Sequence, residues 1–193
     1  RQERQVTEAN IAYFHTNRSA VEHGENVRWT HQVARAYLIQ PDLLPGVTHG
    51  LFDPEVVLRR SLQTLSHRCP SIGELGEGDK RAWVQIFVAG ALAEFRGTGT
   101  LEAVAPEILR VILTETIGYN TFAEGEEDAF LAEIRRRVLL TPGESEAFAR
   151  EYLEPSLAAS AGHSDLHLLN REPALNHLRA SLPLEWLHRF PEL

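Results

Sequence analysis

The sequence predicts an all-α fold: a compact orthogonal or antiparallel bundle of about seven to nine helices around one central apolar helix, residues 80–96. Three observations predict it. Apolar residues recur at steps of three and four through nearly every segment. Capping residues and prolines stand where helices start and stop. No stretch alternates apolar and polar residues as a half-buried strand does.

The central helix comes first because the others are expected to pack on it. Val84, Phe87, Val88, Ala91, Leu92 and Phe95 mark one face of Lys80–Arg96, while Trp83, Ile86, Gly90 and Ala93 leave the other hardly more polar. A helix apolar nearly all round is surrounded by other helices. Ala89, Gly90, Ala91 and Ala93 are small enough to admit a neighbouring backbone, which must offset the roughly 1 kcal/mol that a mid-helix glycine costs. Asp79 is a natural N-cap, and Gly97 is expected to supply the left-handed C-terminal residue. Gln85 and Glu94 interrupt the run too early for a membrane span.

On the N-terminal side, Glu3–Glu22 reads as a helix with Val6, Ala9, Tyr13, Ala20 and Val21 among its apolar positions, ended by Gly24. A second helix is expected from about Asn26 to Gln40, burying Val27, Ala34, Tyr37 and Leu38. Pro41–Phe52, with two prolines and two glycines, is expected to be a loop. Asp53 followed by Pro54 starts a third helix, with Val57, Leu58, Ser61, Leu62 and Leu65 inward and Arg59, Arg60 and Gln63 outward. Pro70–Gly78 is again loop.

Beyond the central helix, Leu101–Ile117 carries Ile108, Val111, Ile112 and Leu113 and is expected to break at Pro106. A further helix begins near Glu126, with Phe130, Leu131, Ile134 and Val138 inward. Arg135, Arg136 and Arg137 then form a solvated end that the helix dipole favours, or less often a docking patch for an acidic partner. Thr141–Pro142–Gly143–Glu144 combines an N-cap, a proline at the first position and a glutamate at the third. The helix it opens turns Phe148, Tyr152 and Leu157 inward and should bend or stop at Pro155. The chain reads as one domain, 1–193, in which 164–193 is a tail of short helices punctuated by prolines.

Composition narrows the functional classes. The formal net charge of −8 opposes a nucleic-acid or anionic-membrane partner. A single cysteine, Cys69, excludes an internal disulfide framework and fits a cytoplasmic location. No phosphate-binding glycine loop, nucleophile elbow or His-Glu-x-x-His zinc motif is present. Cys69 two residues from His67 could serve as an activated nucleophile, or as a buried structural thiol.

Nine histidines are the main departure from ordinary composition. Imidazole and carboxylate are good ligands for a divalent transition metal, the one cofactor class the sequence suggests. The candidate metal set is His163, Asp165, His167, Glu185 and His188 in the tail, with His177 nearby. Glu185 and His188 form a Glu-x-x-His pair on one helix face, whereas di-iron bundles use two such pairs. A second carboxylate–histidine group, Glu8, His15, Glu22, His23, Glu25 and His31, would need the first two helices antiparallel and in register.

Arg171 and His177, six residues apart, form an Arg-x-x-x-x-x-His spacing that resembles the signature of HEPN ribonucleases. The resemblance would imply RNA cleavage by that pair. Ala123–Phe148, an acidic turn preceding a helix and then a second capped helix, resembles TerB-type helical domains. The favoured expectation is a non-catalytic regulatory or protein-interaction module with a protein partner or a second copy of itself. Leu184, Trp186, Leu187 and Phe190 would be the contact residues, either packed back on the bundle or filling a partner's groove. A metal-dependent helical enzyme is the alternative, and a HEPN-like ribonuclease the third reading.

Overall fold

The computed structural model describes residues 2–74, 80–115, 121–158 and 166–190. Among these residues all regular structure is helical. The ten α-helices are α1 (Gln2–Glu22), α2 (Val27–Ile39), α3 (Leu44–Thr48), α4 (Pro54–Thr64), α5 (Lys80–Thr98), α6 (Pro106–Glu115), α7 (Glu126–Val138), α8 (Pro142–Ala158), α9 (Leu168–Arg171) and α10 (Leu182–Arg189). Short 3-10 turns join several of them, including Pro173–Leu178 ahead of α10.

Helix α5 is the central element, as its all-round apolarity predicts. Ile86 to Ala93 are buried without a break, and α2, α4 and α6 pack around it. The most extensive helix contact is α4 on α5, and Gly90 is the reason it can be close. A Cβ at Gly90 would stand 2.7 Å from the Leu58 carbonyl oxygen and 2.8 Å from Leu62 Cγ. No side chain larger than hydrogen fits without moving the α4 backbone. Gly24 does similar work in the turn after α1: its φ of +72° suits glycine, and a Cβ would meet Ser61 N at 2.7 Å.

Local chemistry sets the helix boundaries where the spacing predicts them. Asn26 Oδ1 accepts from Trp29 N at 3.1 Å to start α2. Asp53 Oδ1 accepts from Glu55 N at 2.9 Å and Val56 N at 3.4 Å, with Pro54 at the first position of α4. The Thr141–Glu144 box closes reciprocally: Glu144 Oε2 accepts from Thr141 N at 2.8 Å, and Thr141 Oγ1 accepts from Glu144 N at 3.2 Å. Pro106 begins α6. Asp79 lies outside the described residues.

Several expectations are corrected. The left-handed residue after α5 is Gly99, at φ +77°, because the helix continues two residues further, to Thr98; Gly97 lies within it against the Arg59 guanidinium. The 41–52 loop contains a 3-10 turn and α3, since Pro45 sits early in a helix where its missing N–H costs nothing. Pro155 does not stop α8, which continues to Ala158. The carbonyl it leaves without a helical donor is that of Glu151, and Gly73 packs beside it. Among the described side chains of α1, from residue 8 on, the buried ones are Phe14 and Val21, while Tyr13 is 39% exposed.

One contiguous apolar core runs from Phe14 and Val21 of α1 through α5 to Leu182 and Trp186 of α10. The proline-punctuated C-terminal segment is thereby part of the packed body.

Candidate functional site

The residues singled out for interaction meet at the corner where α10 lies against α8. Along α8, Glu146, Arg150 and Glu154 recur every fourth residue and share one face. Arg150 is the hub. Its Nη1 and Nη2 donate to both carboxylate oxygens of Glu185 at 2.7 Å, its Nε donates to Glu146 at 2.9 Å, and Nη1 reaches Glu154 at 3.0 Å. Glu154 in turn accepts from the Trp186 indole at 3.1 Å and from Arg189 at 2.7 Å. Trp186 is 1% exposed. The N–H of a buried tryptophan usually finds an acceptor, and for Trp186 Glu154 provides it.

The carboxylates carry the mark of this arrangement. The hydrogen bond from Arg150 holds the Glu185 carboxyl below the usual range. Burial pushes Glu154 upward, but the Trp186 hydrogen bond and the Arg150 and Arg189 guanidiniums outweigh it and leave its pKa lowered. Between α8, the Ser71–Glu74 turn and the end of α10 lies an open groove of about 500 Å³, lined by Arg150, Glu151, Glu154, Pro155, Arg189 and Phe190 among others.

With Trp186 turned in, its neighbours turn out. Leu184 is 61% and Leu187 56% exposed, three residues apart on the outer face of α10. Phe190 is half-buried, with the Arg189 guanidinium 5.2 Å from its ring centre. The four contact candidates therefore divide: Trp186 anchors the helix, Leu184 and Leu187 are presented to solvent, and Phe190 lies between.

Of the metal candidates, His163 and Asp165 lie outside the described residues. His167 is exposed just before α9, with Nε2 3.5 Å from Arg171 Nη1. His188 Nδ1 is 2.7 Å from the Leu184 carbonyl, and Glu185 is engaged by Arg150. Among the described residues no three His, Cys, Asp or Glu side chains are placed to share a metal ion. In the N-terminal group, His31 Nε2 lies 3.3 Å from Gln85 Oε1 on α5, Glu22 pairs with Arg18, and His23 bonds the Ser19 carbonyl. Arg171 ends α9 and His177 lies in the following 3-10 turn, with Pro173 between them breaking regular helix. Burial pushes the Cys69 thiol up to about 12, with Glu107 adding to the effect, which favours the structural thiol over the nucleophile.

Two further polar networks are structural. Arg96 donates to both oxygens of Glu126 at 2.7 Å, to the Tyr37 hydroxyl at 2.8 Å and to the Thr121 carbonyl at 2.8 Å. It thus ties α2, α5 and α7 together. Arg135 donates at 2.8 Å to Glu172, which is 5% exposed, and Arg137 donates to the Leu101 carbonyl. Arg136 alone of the three fits the expected solvated end, paired with Glu133. The Glu146–Arg150–Glu154 spacing was the available sequence signal for the α8 hub; nothing local points to Glu172.

Comparison of the chain with protein-family models, with curated proteins and with solved structures finds no match.

Proposed function

We propose that the chain is a non-catalytic helical module that works through protein–protein contact, with the outer face of α10 as its contact surface. The observation that carries this reading is the pair of exposed leucines on a helix held rigidly from behind. Leu184 and Leu187 stand outward while Trp186, Glu185 and Arg189 are each tied to α8. A pre-ordered helix loses little conformational entropy on binding, so a small apolar face can act as an anchor. A second copy of the chain or a helical protein partner would cover it.

The test is solution mass by light scattering together with crosslinking from a photoreactive residue at position 187. Leu184→Glu with Leu187→Glu should abolish self-association or the crosslink and leave the melting temperature unchanged. If the wild-type protein is monomeric and position 187 yields no crosslink to any protein in its native extract, the reading fails.

A further inference from the structure

We draw no further inference here: the strongest candidate, the open groove of about 500 Å³ between α8, the Ser71–Glu74 turn and the end of α10, belongs to the site already described, its Arg150 and Arg189 guanidiniums being held by Glu154 and Glu185.

Discussion

The α4–α5 contact and the α8–α10 corner hold helices together by different physics. At α4–α5 the contact is apolar and steric: Gly90 lets the Leu58 backbone within reach, and buried aliphatic side chains surround the approach. At α8–α10 one buried tryptophan is fastened by a ring of guanidiniums and carboxylates, much of it exposed. The first interface tolerates no added volume. The second tolerates volume on its outer face but depends on charge state. A surface meant to be met by another molecule is better built on the second plan, because the anchor and the presented residues occupy opposite sides of one helix.

The largest expected effect sharpens the comparison on the charged side. Trp186→Ala should cost about 3–5 kcal/mol, as deletion of a buried large aromatic does. The melting temperature should fall by roughly 10 °C, and amides of α10 should lose protection in hydrogen exchange. An unchanged melt would show that α10 is not anchored through this residue. Next comes the steric side. Gly90→Ala should destabilise by about 2–3 kcal/mol through overpacking, despite alanine's better helix propensity. Gly97→Ala is the control, since a Cβ there meets only the movable end of Arg59, 2.9 Å away. It should be neutral or slightly stabilising. Equal effects at the two glycines in chemical denaturation would break the steric account.

Arg135→Ala removes the partner of a carboxylate that is 5% exposed and should cost about 2 kcal/mol or more, while Arg136→Ala should stay within about 0.5 kcal/mol. Acid should loosen the charged corner before the apolar one. The folded pKa values of Glu154 and Glu185 are lowered from 4.5. The unfolded chain therefore takes up these protons first. The stabilisation is complete above about 4.5 and is lost as pH falls through the depressed values. Tryptophan fluorescence during an acid titration should report Trp186 exposure ahead of helix loss by circular dichroism. Simultaneous transitions would contradict a separable corner. The smallest effect on stability belongs to Leu184→Glu with Leu187→Glu, within about 0.5 kcal/mol because both side chains already face solvent.

How far each feature was legible follows the range of the interaction behind it. Gly90 could be read as a close-approach residue because its small neighbours and apolar surroundings are adjacent in sequence. Which helix would approach it could not. The division of labour within Leu184–Phe190 was equally hidden. A run of apolar residues on a short helix reads the same whether Trp186 or Leu187 is buried, and the acceptor that settles it is Glu154, 32 residues away.

By itself the sequence determined the all-helical class, the caps at Asp53 and Thr141, and most of the inner stripes of α4, α5, α6 and α7. These depend on bonds and spacings within one or two turns, which the chain encodes locally. The tertiary structure decided that Arg150 holds Glu185, that Arg135 holds Glu172, and which tryptophan N–H is satisfied and which is not. Partners so far apart in sequence meet only through the relative placement of whole helices, and that placement is set by the volume and shape of the entire core.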